Sequence, residues 1–398
     1  MTAIVVLALV AIVALRALTE STPLVAVRPL VAQSVRLQGP APRIAWPTEG
    51  QAAVEVEGLG SLGTSAGGAP AQAPAPIASV AKVMTAYLTL RNDPLPTDGS
   101  DGFVMTVTRA DVADWRARLA LGQSTVAVRA GERMTERQAL EALMLPSANN
   151  IAAMLAERSA SGTGGFVEQM NATARQLGMR STTYTDPSGF DETTVSTASD
   201  QVRLARAALR VPGFTQIASE PSAVLPVAGE VTNFNALVGH NGYIGIKTGS
   251  DSAAGGCLVF AKRFTVAGRH LTVVGAVLGQ RDGSLIPAAL ESAQRLGDSA
   301  AAAVRQRTVV AKGQRVLLAT GTDDRQVAIV AKRPLREIGW GGMRVPVRIT
   351  QAPPTRELSA GQQVAVLSTR GLLSPRVGAA AERELGKPSL GWRLRHLL

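Results

Sequence analysis

The spacing of hydrophobic and polar positions changes several times along the chain, and each change predicts an element. Ala3–Leu15 is an unbroken apolar run, closed by Arg16. Between Pro23 and Pro47 prolines recur without periodicity, which predicts a linker over 21–45. Gln51–Gly60 alternates Ala and Val with Gln and Glu, the period of a half-buried strand. Ala66–Pro76 is rich in Ala, Gly and Pro and predicts no regular element. Helical spacing follows over Ser79–Leu90, Thr108–Leu119, Thr135–Leu143, Asn150–Arg158, Phe166–Leu177 and Ser199–Leu209. Thr135 and Gln138 make a capping-box pair, and Pro146 breaks the helix that they open. Ile244–Thr248, Gly256–Lys262 and His270–Leu278 read as strands of one sheet, with a closing helix at Ser284–Asp298.

Beyond residue 305 the runs become short, Val-rich and alternating: Thr308–Ala319, Gln326–Ala331, Arg344–Ile349 and Gln362–Ser368. Gly, Pro and Asp turns separate them, so a small all-β module is expected over 306–370, with a tail over 371–398 that ends in GWRLRHLL. The bulk of the chain, 46–300, is then one mixed helix-and-strand domain. The first 20 residues read as a signal peptide or signal anchor. Their apolar run of thirteen residues is short of the about 20 that a full span needs. No Lys or Arg precedes the run and no Ala-x-Ala site follows it, so cleavage is left open while export is expected.

Composition narrows the function. The 398 residues are 46% hydrophobic and 18% charged, enough apolar material for a core and incompatible with wholesale disorder. Aromatics are only 4%, which argues against a base-stacking surface, and an exported chain is not expected to meet nucleic acid. The single cysteine, Cys257, rules out an intramolecular disulfide and Cys-rich metal sites. His240, His270 and His396 are too far apart for a metal-binding helix motif.

The net charge of +11 resides in the last quarter of the chain. Residues 301–398 hold 17 Lys and Arg against 6 Asp and Glu, whereas residues 1–300 hold 24 of each. A basic segment of this kind can approach anionic lipid or a polyanionic wall polymer, or can simply confer solubility. Lysine itself is rare, 6 against 35 arginines, and only Lys82 and Lys247 precede residue 262. Arg cannot be deprotonated in a protein and Lys can, so these two positions are where proton chemistry is sought first.

Lys82 closes the string Ser79-Val80-Ala81-Lys82. Residues i and i+3 share a helix face, so the Ser79 hydroxyl and the Lys82 amine can meet. A serine needs an adjacent base to act as a nucleophile, and a lysine serves as one only when burial or a neighbouring cation lowers its pKa. Lys247 is the candidate cation. A second string, Pro146-Ser147-Ala148-Asn149-Asn150, lies in the break between two helices, where Ser147 could relay a proton and Asn149 could hold an amide, or either could cap the following helix. The third is Lys247-Thr248-Gly249-Ser250 on a strand, with Lys and Thr suited to an anionic group and Gly to close backbone approach. Each string alone is weak. Together, in the order S-x-x-K, S-x-N, K-T-G, they match the motif set of penicillin-binding proteins and β-lactamases.

From about Trp46 to Leu296 the sequence resembles the low-molecular-mass penicillin-binding proteins, the serine-type D-alanyl-D-alanine carboxypeptidases. The likeness is carried by ASVAKVMTAYL, LMLPSANNIAAMLAE, TDPSGFDE at Thr185–Glu192, STASD at Ser196–Asp200, TNFNALVGHNGYIGIKTG and SAAGGCLV. It implies an α+β fold of the penicillin-binding/β-lactamase-like transpeptidase type, an antiparallel sheet flanked by helices plus a helical subdomain, followed by the small β module. It also implies that Ser79 is acylated, that Lys82 takes its proton, and that Ser147 passes a proton to the departing amine. Asn149 would hold the substrate amide, while Lys247 and Thr248 would bind the terminal carboxylate. Gly249 would allow close approach, and the N–H groups of Ser79 and Ser250 would form the oxyanion hole. The implied partners are peptidoglycan stem peptides and β-lactam antibiotics, with no metal or cofactor required; the charge of 301–398, apart from the resemblance, leaves anionic lipid or wall polymer as a candidate partner for that segment.

The rivals share much of this. Position 81 is Ala where the family commonly has Thr. A β-lactamase of the commonest type would carry Glu-x-x-Leu-Asn, which is absent, although Asp191 and Glu192 are available carboxylates. A D,D-endopeptidase needs only a different substrate tail. A non-catalytic wall-binding scaffold would keep the motifs as structure. Cys257 as a nucleophile, or a triad through His240, lacks the surrounding pattern.

Overall fold

The computed structural model describes residues 2–19, 23–96, 99–159 and 161–395. His396, named above, and residues 1 and 20 of the N-terminal segment lie outside them. The chain divides into two compact units, one formed by 42–303 and the other by residues up to 41 together with 304 onward.

The first unit is built on a five-stranded antiparallel sheet in the spatial order Tyr243–Asp251, Gly255–Val266, Arg269–Gln280, Gln51–Val56, Gly60–Ser65. Gly60–Ser65 was not expected as a strand; it returns as a hairpin from Gln51–Val56 through a Gly-rich turn. The alternation of the long central strand sorts its side chains between two faces. Cys257, Val259 and Ala261 join the main core with the helices Lys82–Asn92, Glu136–Met144 and Asn149–Glu157. On the opposite face the helix Leu285–Ala303 lies over Gly255–Val266 and Arg269–Gln280. There Tyr243 packs on Phe260 with ring centroids 6.0 Å apart and donates to Gln294 O at 2.9 Å. Lys262 Nζ sits 2.9 Å from Asp298 Oδ1 and 4.5 Å from the centre of the Tyr243 ring, so this third lysine is a structural tie. A helical layer over one sheet face and a single helix over the other give the α+β arrangement expected.

Local chemistry sets the helix starts. Thr135 and Gln138 do form the capping box, each reaching the other's backbone N–H at 3.3 and 3.0 Å. Thr108 and Asp111 form another at the helix Arg109–Ala120.

The second unit is a seven-stranded antiparallel sheet with the order Ala26–Pro29, Arg315–Thr320, Gln326–Ala331, Arg376–Ala381, Gln363–Thr369, Arg344–Gln351, Ser34–Arg36. Arg305–Val310 pairs separately with Leu335–Gly339. Two expectations are corrected here. Residues 21–45, expected as a linker, contribute both edge strands of the sheet, because Val25 and Leu37 bury their side chains among Val310, Leu317, Ile329 and Leu335. Residues 371–398, expected as a tail, hold the central strand Arg376–Ala381, followed by the short helix Leu390–Arg395. Thr308–Ala319 is two strands rather than one, parted at Gly313, whose φ is +77°.

Candidate active site

The surroundings of Ser79 begin with a tight turn. Ser79 does not sit on an α-helix as expected: Ala78–Ala81 is a 3₁₀ turn, and the α-helix starts at Lys82. A 3₁₀ turn places i and i+3 directly above one another, which brings the two functional groups closer than an α-helix would. Lys82 Nζ lies 2.7 Å from Ser79 Oγ. Ala78, just before the nucleophile, has φ +45°, a left-handed conformation that costs a non-glycine residue on the order of 1–3 kcal/mol.

Lys82 is fully buried, and its amine also donates to Ser188 O at 2.9 Å. Burial pushes its pKa well below the usual lysine range; the positive charge of Lys247 adds to this, Asp186 opposes it and Arg118 adds a little more. Lys247, on the strand Tyr243–Asp251, is 1% exposed, and its Nζ has no hydrogen-bond partner among the described residues. Burial brings its pKa down to about 7. A buried cation without an acceptor is costly unless something negative is brought to it.

Gly249 explains how strand and turn come together. A Cβ on it would stand 2.9 Å from both Ser79 N and Val80 N, so only glycine lets this strand lie against the nucleophile's turn. Thr248 is buried beside Lys247, and Ser250, next along, is exposed.

Of the two expectations for the string around Ser147, the cap is not what forms. Ala148 is the residue that caps Asn149–Glu157, with no side-chain bond, so neither Ser147 nor Asn149 serves as a cap. Ser147 instead holds φ +68° while its Oγ is buried without a partner. Asn149 Nδ2 donates to Gln123 Oε1 at 2.8 Å, and its Oδ1 is unpartnered. The neighbouring Asn150 is structural, bonding both the N–H and the carbonyl of Val126 at 3.2 and 3.1 Å.

Five supporting residues were not singled out from the sequence: Asp186, Thr85, Gly189, Gln123 and Arg118. Asp186 gathers the loop Thr185–Glu192: its carboxylate accepts from Ser188 N and Oγ, Gly189 N, Phe190 N and Thr194 Oγ1, at 2.5–3.1 Å. That turn aims Ser188 O at Lys82, and Thr85 Oγ1 clamps Pro187 O at 2.6 Å. Gly189, at φ +77°, passes so close to Ala78 that a Cβ would sit 1.9 Å from Ala78 O. Gln123 holds Asn149 and is held in turn by Arg118 Nη1 at 3.4 Å. The Asp-x-Ser-Gly pattern of a side-chain-capped turn is a signal from which the Asp186 latch could have been read.

A Cys257 nucleophile and a triad through His240 find no support in these positions. Cys257 is buried, and burial pushes its thiol up to about 12. His240 is exposed in a turn, and Asp191 and Glu192 face solvent. Among the described residues, no group of three or more His, Cys, Asp or Glu is placed to hold a metal ion.

A family model described as D-alanyl-D-alanine carboxypeptidase matches residues 69–281, from just before the nucleophile's turn to the end of the sheet. The chain belongs to that family. It is 42% identical over 152 residues to the D-alanyl-D-alanine carboxypeptidase DacB2 of Mycobacterium tuberculosis, a match covering 36% of this chain and 50% of that protein. It is 31% identical over 208 residues to a D-alanyl-D-alanine endopeptidase of Pseudomonas aeruginosa, covering 50% of this chain and 64% of that protein. The matches therefore span about half to two thirds of these relatives' lengths. Among solved structures, the Streptomyces K15 DD-transpeptidase superposes with a TM-score of 0.54 at 28% identity, over 66% of this chain and 98% of that one. The transpeptidase-type fold expected from the motifs is thus the fold of this family member.

Proposed function

We propose that this chain removes the terminal D-alanine from peptidoglycan stem peptides ending in D-Ala-D-Ala, through an acyl-enzyme on Ser79. The observation that carries the reading is the Ser79–Lys82 pair, 2.7 Å apart, with the amine fully buried and its proton affinity lowered. A neutral Lys82 amine accepts the Ser79 proton as Oγ bonds to the carbonyl carbon of the penultimate D-Ala. The C–N bond to the last residue then breaks, and Ser147 passes a proton to the departing amine. Water adds to the ester and frees Ser79. Lys247 and Thr248 receive the free carboxylate, the anion that the unpartnered ammonium needs, and this requirement selects a chain end over a chain interior. Asn149 holds the preceding amide. Oxyanion donors at Ser79 N and Ser250 N complete the set, each typically worth about 10²–10³ in rate.

The test is D-alanine release from a peptide ending in Lys-D-Ala-D-Ala, with Ser79→Ala as control. Release by the native protein alone supports the reading. Acylation of Ser79 by penicillin without D-alanine release would transfer the substrate to a cross-linked peptide, the endopeptidase reading, which the Pseudomonas relative's name favours. Failure of both would leave a scaffold.

The proposed place of action is outside the cytoplasm, where the wall substrate lies. The apolar helix Thr2–Thr19 supports an export segment, although among the described residues no helix is long and apolar enough to cross a membrane. Exposed Arg315, Arg344, Arg348 and Arg376 support contact of 301–398 with anionic lipid or wall phosphate. Salt-sensitive sacculus or liposome binding that survives deletion of 301–398 would refute that contact.

A further inference from the structure

The second unit carries a seam that its backbone leaves unzipped. The segment 25–37 runs antiparallel to 343–355, and one register holds at both ends: Leu37 N donates to Met343 O, Val347 N to Gln33 O and Val25 N to Thr355 O, each at 2.8 Å. Gln33 to Val25 and Val347 to Thr355 are the same eight-residue step on either strand. Between those two ends, among the described residues, no backbone hydrogen bond crosses. Bonded pairs of an antiparallel ladder recur at every second residue. Val31 with Ile349, Pro29 with Gln351 and Val27 with Pro353 are therefore the pairs that would close the gap. Proline has no N–H, and it stands in two of the three. The opening follows from where the prolines are placed.

Two clefts lie along this seam, of about 480 and 450 Å³, and they share Gln351. Together they follow it from Gln33 to Val25, about 26 Å at the rise of a strand. We infer that the seam is a binding groove for an extended polyanion, a sugar or polyol chain bearing carboxylate or phosphate groups. The inference rests on the proposed contact of 301–398 with an anionic partner, and it chooses a polymer chain over a lipid surface.

Charge and shape select the occupant. Arg348 and Arg370 line the first cleft, both exposed, and neither has a hydrogen bond or ion pair among the described residues. Among those residues no acidic side chain lines either cleft. Gln33, Gln351 and Gln363 present amides, donor and acceptor together, which suit hydroxyl groups. Base stacking has no footing, since no aromatic side chain is among the described lining residues. A peptide adding as a strand needs regular donors along the edges, and the prolines remove them. A bilayer surface is too broad for a slot closed by hydrogen bonds at both ends. A single chain fits.

The experiment measures binding of the full chain to four probes at low and high salt: an oligogalacturonate, a glycerol-phosphate oligomer, an uncharged oligoglucan and phosphatidylglycerol vesicles. At least one of the two polyanions is expected to bind, the neutral chain not to, and affinity to fall as salt rises. Which polyanion binds tells carboxylate from phosphate. Arg348→Gln with Arg370→Gln should weaken this binding at least about fivefold. Arg315→Gln with Arg376→Gln, an equal loss of charge outside the clefts, should change it by less than about twofold. Pro29→Val with Pro353→Val restores two donors, so the seam should zip, with slower hydrogen exchange at Ile349 and Gln351 and loss of the polyanion. Equal effects of the two arginine pairs, or full binding by a zipped seam, overturn the groove and leave the polyanion contact to net charge. Binding to vesicles alone overturns it in favour of a lipid surface. No salt-sensitive binding to any probe overturns the anionic-partner reading together with the inference.

Discussion

Lys82 and Lys247 are both buried, and the charge of the second helps to keep the first neutral. The two lysines therefore have opposite requirements. In the proposed mechanism Lys82 must lose its proton to act as a base, whereas Lys247 must keep its proton to hold a carboxylate. With Lys247 near 7 in the free protein, kcat/KM for a D-Ala-D-Ala peptide should fall above about pH 7 as this cation is lost. The bound carboxylate raises the pKa of Lys247, so kcat should hold to higher pH than kcat/KM. Lys247→Arg should move the falling limb out of range, and an unchanged limb would place the titration elsewhere.

The same shifts set a stability profile. For the lysines the folded pKa lies below the unfolded one, so the unfolded chain binds more protons between about 7 and the model-peptide value of 10.5, and stability rises with pH there. Glu136 and Glu141 have folded pKa values raised to about 7 by burial, so stability from these groups is full below their unfolded value of 4.5 and is lost as pH rises through 7. Denaturant unfolding should show a shallow minimum near neutrality. Lys247→Met should flatten the alkaline rise, and an unaltered rise would show that Lys247 does not cause it.

Ser147 combines a left-handed backbone with an unpartnered buried hydroxyl. Both are costs to folding that catalysis can use. Ser147→Gly should melt at the same temperature or a few degrees higher, while D-alanine release falls at least about tenfold through loss of the proton relay. A variant that is both less stable and fully active would show that the serine is structural.

Asp186→Asn removes charge from the latch and turns an acceptor oxygen into a donor facing other donors. Hydrogen bonds to charged groups contribute about 1.5–3 kcal/mol each, so the loop should loosen and Ser188 O should leave Lys82. Penicillin acylation is expected to slow about tenfold and the midpoint of thermal unfolding to drop by several degrees. Normal acylation in a destabilised protein would confine Asp186 to a structural part.

The candidate site was legible because three short strings contain the only two lysines before residue 262. The S-x-N spacing singled out Asn149, whereas the structural part of its neighbour Asn150, tied to Val126, was not legible. Gln123 and Arg118 were hidden for a similar reason: they act through Asn149 and lie in no motif. In the second unit Arg376–Ala381 was read as tail because Val-Gly-Ala-Ala-Ala, buried at the sheet centre, does not alternate. Leu335–Gly339 was missed because Glu337 points inward, where Thr369 Oγ1 and the N–H groups of Ile338 and Leu373 satisfy it. The strands at 26–29 and 34–36 were taken for linker because their partners lie about 300 residues away.

That separation gives the chain the topology of a guest spliced into a host. The two edge strands of the C-terminal sheet are the first to be synthesised, and Arg376–Ala381, which joins its two halves, is among the last. Contacts closed over such long loops form slowly. A chain interrupted after residue 303 thus has every motif of the 42–303 unit in place while residues 26–36 still lack their strand partners. Shortening either end of the chain removes pieces of one and the same sheet.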